Sequence, residues 1–428
     1  MSKTKNDKAW EKLFDKYSIK NTIEEKGYFK ITSTQIKEFR EPRLATKFDH
    51  RNHLPSLFKK RYNILPITRG SYIISKFEAY ENLEEKGKEI FKAKFPTYIQ
   101  SIDYKKITSE AVALNCAYTA GIIDDFVSDK DIKPTVSGRM SSSGFEFNIN
   151  LKNSKEKLPI EVKNSQIEID GGYEGKDYLT LIEAKNTIPE DFLIRQVYYP
   201  FRLWESKINK PIKNIFMTYS NDIFSLYEYE FKDKYNYNSL VLVKKKNYII
   251  EQDRDISLDE ILRVLETVQV VEEPEVPFPQ ADSFPRVINL AELVSQESRS
   301  KTFIYENYDF DPRQSDYYTN AARYLGLIEK FKIKNKPNYK ITKTGDKIFN
   351  YPYKERQLKL AELILQHKVF NKVFRESIKY GTILSKQEIV TIMHESNLYN
   401  VIREDTYERR ASTISGWLNW ILELVENN

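Results

Sequence analysis

Hydrophobic and polar residues follow two periods along this chain, and the switches between them outline its elements. Phe145, Phe147, Ile149 and Leu151 alternate with Glu146, Asn148 and Asn150, the period-two pattern of a half-buried strand. Alternation returns where Ile167 and Ile169 stand against Glu168 and Asp170, and the β-rich run LTLIEAK follows at 179–185. Two further apolar runs, 212–220 and 223–233, read as strands. Helical spacing governs Thr108 to Phe126, where Val112, Cys116, Ala120 and Ile123 recur behind an N-cap at Thr108 or Ser109. Pro189, Glu190 and Asp191 suit a first helical turn, so 189–204 is expected to be helical until Pro200 interrupts it.

Between Val270 and Arg286 four prolines and several acids mark a semi-extended linker or wrapped arm, and a domain boundary. Asp311, Pro312 and Gln314 then supply an N-cap, a first-turn proline and a capping box. Tyr318, Ala321, Ala322 and Leu325 form the apolar stripe of that helix, Arg313, Tyr317 and Asn320 its open face, and Gly326 its end. A strand, a basic turn and a second strand follow in LIEKFKIKNKPNYKITKTG. A helix before a basic hairpin is the winged-helix order, which serves DNA binding and protein binding alike. In the last helical run Ile414, Trp417, Leu418 and Ile421 share one face and Arg409, Ser412, Gly416 and Asn419 the other. Small and basic residues there allow close approach to DNA, and an interdomain or dimer surface fits the same face.

The candidate chemistry lies in QIEIDGGYEGKDYLTLIEAK, 166–185. Gly171, Gly172, Gly175 and Asp177 read as a turn that pairs the two strands, bringing Asp170, Glu183 and Lys185 to one end. Parity puts Glu183 and Lys185 on one face, roughly 7 Å apart by strand rise. Phosphodiester hydrolysis needs charge neutralised at the phosphate and a water made nucleophilic near neutral pH. Mg²⁺ held by one or two carboxylates and several waters supplies both. Asp170 and Glu183 are the expected ligands, aided by the Ala184 carbonyl, with Lys185 beside the attacking water and the scissile phosphate. An exposed hairpin with a surface ion pair, worth about 0–1 kcal/mol, would carry the same residues. The apolar flanks of both strands, and the glycines directly after Asp170, favour the metal centre.

At 428 residues the chain is too long for one ordinary core, so two or three domains are expected. Its 68 basic and 62 acidic residues leave a net charge of +6, which permits a polyanionic partner without demanding one. With 29 Tyr, 24 Phe and 13 Gly it has the composition of a folded chain. Cys116 is the single cysteine, which rules out an internal disulfide and argues against a cysteine zinc site; it reads as an inert core thiol. The histidines, His50, His53, His367 and His394, are scattered. The charged start lacks an apolar leader, and no run approaches the roughly 18 apolar residues of a membrane span, so a soluble intracellular protein without membrane contact is expected.

The order of acid, hairpin and E-x-K resembles the PD-(D/E)XK nuclease superfamily. The wider chain resembles a type II restriction endonuclease with a winged helix behind its nuclease core, over REPRLATKFD (40–49), LPITRGSY (65–72), IEIDGGYE (167–174), LIEAKN (181–186) and FLIRQVYYPFRLW (192–204). Ile169 stands where that motif has proline. The resemblance implies an α/β (α+β) core with a mixed central sheet flanked by helices, followed by winged-helix and helical DNA-binding domains. Laid on this chain it gives a DNA-facing region at 1–100, the nuclease core at 101–270, a Pro-rich linker at 271–286, the winged helix at 287–350 and a helical domain at 351–428.

The activity so implied is Mg²⁺-dependent, sequence-specific hydrolysis of double-stranded DNA that leaves 5′-phosphate ends. It brings with it a cognate DNA methyltransferase, a bacterial or archaeal cytoplasm, and a homodimer as one way to cut both strands. Glu110, on a helix before the sheet, is the implied extra carboxylate or else a first-turn acid, and Glu168 is a further candidate. Implied DNA contacts are Arg43 and Arg69, then Arg139 and Ser141 in a polar loop at 138–142, then Arg313, Tyr317 and Asn320, and finally Arg409 and Ser412. Arg43 and its basic neighbours also fit a solvated face paired with Glu38 and Glu41, and 138–142 also fits a plain surface loop. Arg195 and Gln196 follow the lysine where such helices often turn a polar side chain back to the site; packing or an ion pair is the preferred role for each. Two other classes fit the same motifs: a structure-specific repair or resolvase-type nuclease, and a non-enzymatic winged-helix DNA-binding regulator.

Overall fold

The computed structural model describes residues 3–59, 61–83, 89–250, 255–396 and 398–426. The chain divides into two units, one of Met1–Gly87, Phe95–Tyr219 and Phe224–Asn247, the other of Lys88–Lys94, Ser220–Ile223 and Tyr248–Asn428. Among the described residues no helix is long and apolar enough to cross a membrane.

In the first unit, helix Lys5–Lys16 starts at a capping box formed by Thr4 and Asp7. Its apolar face, Trp10, Leu13 and Phe14, packs on Phe58 and Tyr62, with the Trp10 and Phe58 rings 4.8 Å apart. Strands Tyr28–Thr32, Ser71–Ser75 and Asn63–Pro66 form a small sheet in that order.

The main sheet of this unit runs Leu240–Ile249, Ile223–Phe231, Ile212–Ser220, Leu179–Lys185, Gln166–Glu174, Lys133–Ser141. It is mixed, because Leu179–Lys185 lies parallel to Ile212–Ser220 and antiparallel to Gln166–Glu174. Helices Glu110–Thr119 and Arg195–Glu205 both pack on the two central strands. The core is therefore mixed α/β, with helices flanking a mixed sheet.

Four local expectations are corrected. The helix expected over 108–126 is two, Glu110–Thr119 and Ile122–Val127, because Gly121 takes φ +73° between them. Residues 138–142 are mostly strand, not loop: Lys133–Ser141 has too few apolar residues to alternate visibly, yet it pairs with Gln166–Glu174. Gly171 and Gly172 lie inside strand Gln166–Glu174 rather than in the turn, since a Cβ on Gly172 would stand 2.6 Å from Val136 Cβ. Helix Arg195–Glu205 starts late, after a short strand Asp191–Leu193, and runs through Pro200. An interior proline costs about 3 kcal/mol. Burying Val197, Tyr198, Tyr199 and Leu203, at about 1.5–3 kcal/mol for each large side chain, outweighs it. The alternating strand at 145–151 pairs with Lys157–Lys163 in a separate ladder and does not join the main sheet.

The second unit begins before the proline-rich stretch. Ile261 and Leu265 of helix Leu258–Thr267 share one core with residues as distant as Trp417 and Ile421, so that helix belongs to the second unit and not to the core expected over 101–270, and 287–350 and 351–428 are not separate bodies. The prolines shape a wrapped arm: the Phe278 ring stacks on Phe370 at 5.8 Å, and the Ala281 carbonyl accepts from Trp417 Nε1 at 2.7 Å. That arm also lies against Gly416, on the face of the last helix expected to meet DNA, for a Cβ there would stand 2.4 Å from the Asp282 carbonyl oxygen, while Arg409 and Asn419 of that face stay exposed. Between the arm and the final helices the order is helix Phe284–Gln296, strand Arg299–Ser300, helices Lys301–Asn307 and Pro312–Tyr324, and strands Ile328–Ile333 and Lys336–Ile341. The Asp311 capping box is present as the sequence reads it.

Candidate active site

The two central strands position the acids. Their ladder pairs Leu179 with Glu174 through Ile182 with Gly171, so the next rung sets Glu183 opposite Asp170. There the backbone ladder stops, and the Ala184 amide donates to Asp170 Oδ2 at 2.9 Å. At the other end Asp129 accepts from the amides of Asp177 and Tyr178, which holds the turn.

Glu183 is buried, and its Oε1 accepts from Lys185 Nζ at 2.5 Å and from Gln196 Nε2. Lys185 Nζ also donates to the Ala184 carbonyl at 3.1 Å. Burial pushes the Glu183 carboxyl up to about 8, with Lys185 opposing and Asp170 adding to the rise. Burial works against the Lys185 ammonium, yet the carboxylates of Glu183, Glu110, Asp170 and Asp49 hold its pKa above the ordinary lysine value. Glu110, first residue of its helix, is raised by burial, with Lys185 opposing and Asp170 contributing.

These groups line one cleft of about 620 Å³, together with Arg43, Lys47, Asp49, Arg69, Arg139, Glu168, Arg195 and Gln196. Its wall comes from the segment after Phe48. The Asp49 carbonyl accepts from Leu193 N at 3.0 Å, Arg51 N donates to Asp191 Oδ1 at 2.9 Å, and His50 Nδ1 lies 2.6 Å from the Asp191 carbonyl. Asp49 is thereby fixed at the acid cluster; burial alone would raise its pKa, but Lys185 and Lys47 hold it below the usual range.

Glu168 lies in the cleft but its carboxylate is taken by Arg139 Nε at 3.1 Å, a pair whose partners are each 56% exposed. Such a pair is worth about 0–1 kcal/mol, so Arg139 can leave it for a ligand at little cost. Ser141 donates to Asn164 at 3.3 Å and does not line the cleft. In the second unit Arg313 is exposed, with Nε donating to Tyr317, and Asn320 accepts from Arg323 at 2.9 Å. Arg409 is paired with Asp405 at 2.9 Å, and Ser412 is half-buried. Cys116 is buried, its thiol pushed up to about 11 by that burial, so it is inert at neutral pH.

One cleft residue escaped the sequence, and a second was given the lesser of its two roles. Asp49 sits in a charged run with no alternation to tie it to the hairpin, and Gln196 bonds Glu183 where packing or an ion pair was preferred. Its position one residue into the following helix was the available signal.

No cluster of three or more His, Cys, Asp or Glu arranged to hold a metal occurs among the described residues. The oxygens that remain are Asp170 Oδ1 and Glu183 Oε2, neither of which carries a hydrogen bond among the described residues, and the Ala184 carbonyl. That is an all-oxygen set of two carboxylates and a carbonyl, the donor type a water-rich Mg²⁺ site uses.

Three domain families match parts of the chain, each described as a domain of unknown function: DUF6996 over residues 7–74, DUF6997 over 75–249 and DUF7226 over 286–426. Comparison with curated proteins and with solved structures finds no match. The cleft draws on two of these matched stretches, Arg43, Lys47, Asp49 and Arg69 coming from the first and the acid–lysine hairpin from the second.

Proposed function

We propose that this chain is a Mg²⁺-dependent endonuclease of the PD-(D/E)XK type, acting on double-stranded DNA at a specific sequence as type II restriction enzymes do. The observation that carries the reading is the meeting of Asp170, Glu183 and Lys185 in an open cleft whose walls also bear arginines. Asp170 and Glu183, with the Ala184 carbonyl, would hold the ion, which when bound neutralises phosphate charge and lowers the pKa of a water. Lys185, fixed by Glu183 and the Ala184 carbonyl, donates toward the phosphate and orients the attacking water. Gln196 holds the Glu183 carboxylate in place. Hydrolysis as in the resembled superfamily would leave 5′-phosphate ends.

The second unit is assigned the reading of sequence. Its order of helix, short strand, two helices and a hairpin follows the winged-helix plan, with Pro312–Tyr324 as the recognition helix and Arg313, Tyr317 and Asn320 on its accessible side. Cutting both strands calls for two copies or two visits, and a host genome would need protection by a methyltransferase of the same specificity.

The test is incubation of the full chain with Mg²⁺ and unmodified phage DNA, followed by sequencing of the ends. Discrete fragments with one end sequence support the reading. Branched substrates cut in preference to linear duplex would mark a structure-specific nuclease, and DNA bound but uncut would mark a regulator.

A further inference from the structure

We infer that Arg195 is a phosphate-binding residue beside the acid cluster, gripping a backbone phosphate of the strand that enters the cleft. The identity of that strand rests on the nuclease reading; the anion site rests on the cleft itself.

Arg195 opens helix Arg195–Glu205 and lines the cleft with Asp170, Glu183 and Lys185. Its guanidinium makes no ion pair or side-chain hydrogen bond among the described residues, and its Nε is shut off from solvent without an acceptor. The acids that line the cleft with it are each held through one oxygen by another donor, Glu183 by Lys185 and Gln196 and Asp170 by the Ala184 amide, while Asp49, whose pKa Arg195 helps to lower from a distance, lies 3.7 Å from Lys47. Other arginines with a buried, unpartnered Nε, such as Arg202 and Arg286, donate through their terminal nitrogens, whereas Arg195 finds no acceptor at any guanidinium nitrogen among the described residues. The Tyr199 ring, one helical turn on, lies 5.6 Å from the guanidinium carbon and holds the group in the cleft.

A planar fork with donors to spare matches two oxygens of a phosphate better than a point charge does. Arg43 and Arg69 line the same cleft and also lack ion pairs among the described residues, so the cations form a series suited to a polyanion. Free phosphate and a phosphodiester backbone share this chemistry.

The experiment compares wild type, Arg195→Met and Arg195→Lys as full chains without divalent ions, so that nothing is cut. Arg195→Met keeps an apolar stem over Tyr199, and melting curves confirm that each variant is folded. Binding of a random-sequence duplex is followed between roughly 50 and 200 mM salt, and inorganic phosphate is titrated separately. Arg195→Met is expected to bind duplex on the order of tenfold more weakly, with a salt slope reduced by about 0.9, while Arg195→Lys recovers part of both. Unchanged affinity and slope in folded Arg195→Met overturn the inference. If wild type binds phosphate through Arg195 but no duplex, the anion site stands and the nuclease reading falls. If wild type binds neither, the inference falls.

Discussion

Asp170 Oδ2 accepts a hydrogen bond from the Ala184 amide at 2.9 Å, so a side chain completes the hairpin at the rung where its backbone ladder ends. The next peptide is held as well, where Lys185 Nζ donates to the Ala184 carbonyl. Acid, peptide and lysine are thus fixed to one another by the sheet before any ligand arrives, which is the preorganisation that electrostatic catalysis requires.

Lys185→Ala is expected to fold and to bind DNA, and to lose on the order of 10²–10³-fold in cleavage rate. Removing one member of a buried ion pair usually costs about 3–5 kcal/mol, because a charge is left uncompensated. Glu183 escapes that penalty: burial already pushes it up to about 8, so it takes a proton when the ammonium is gone. Cleavage of unmodified phage DNA measured beside a binding titration decides the matter, and equal cutting by variant and wild type removes Lys185 from its role.

Mg²⁺ should stabilise the first unit even where no DNA is present. An ion a hundredfold above its Kd adds about 2.7 kcal/mol, and a unit of this size shifts its Tm by roughly 2–4 °C per kcal/mol. Asp170→Asn keeps an acceptor for the Ala184 amide and removes the charge, so it should melt near wild type without Mg²⁺ and gain no such shift with it. A Mg²⁺ shift that persists undiminished in Asp170→Asn places the ion elsewhere.

Asp170, Glu183 and Lys185 were legible in the sequence because strand parity is a local rule and the apolar flanks fixed which side chains share a face. The Asp311 cap was legible for the same reason. Asp49 was not, since only the contacts of 49–51 with 191–193 bring it to the cluster, and such contacts leave no periodic trace. Strand Lys133–Ser141 was invisible because its sequence hardly alternates. The proline-rich arm misled the domain boundary: composition marks extended backbone, but Phe278 and Ala281 are buried in the second unit's core.

Gly172→Ala should destabilise the first unit by about 1–3 kcal/mol, the usual range for overpacking. Its Cβ would meet Val136 Cβ at 2.6 Å and the Val136 carbonyl oxygen at 3.0 Å, across a strand pair that cannot move without shifting Asp170 two residues away. Adding Val136→Gly removes the first clash and leaves the second, so partial rescue is expected. A double-mutant cycle by denaturant unfolding that shows strict additivity would falsify this packing account.

Substitution at Arg313 or Asn320 by alanine should relax sequence selectivity while cutting continues. A lost base contact is worth about 1–3 kcal/mol of discrimination, whereas phosphate contacts in the cleft are untouched. Sequencing the ends made by each variant gives the readout; an unaltered end sequence in Arg313→Ala and Asn320→Ala would take recognition away from helix Pro312–Tyr324.

His367 makes the second unit acid-sensitive. The ring is 2% exposed and stacks on Tyr324 with centroids 4.0 Å apart. Burial depresses its pKa from 6.5 to about 4, with the Tyr324 backbone opposing. As pH falls from 6.5 toward 4, the unfolded chain binds this proton and the folded chain does not, so stability present above 6.5 is lost through that window. The loss accumulates at about 1.4 kcal/mol per pH unit at most. His367→Phe keeps an aromatic ring on Tyr324 and removes the titration. The two proteins should therefore melt alike above pH 6.5 and separate below it, the variant being the more stable. Parallel curves of Tm against pH across that range would show that the His367 proton contributes nothing.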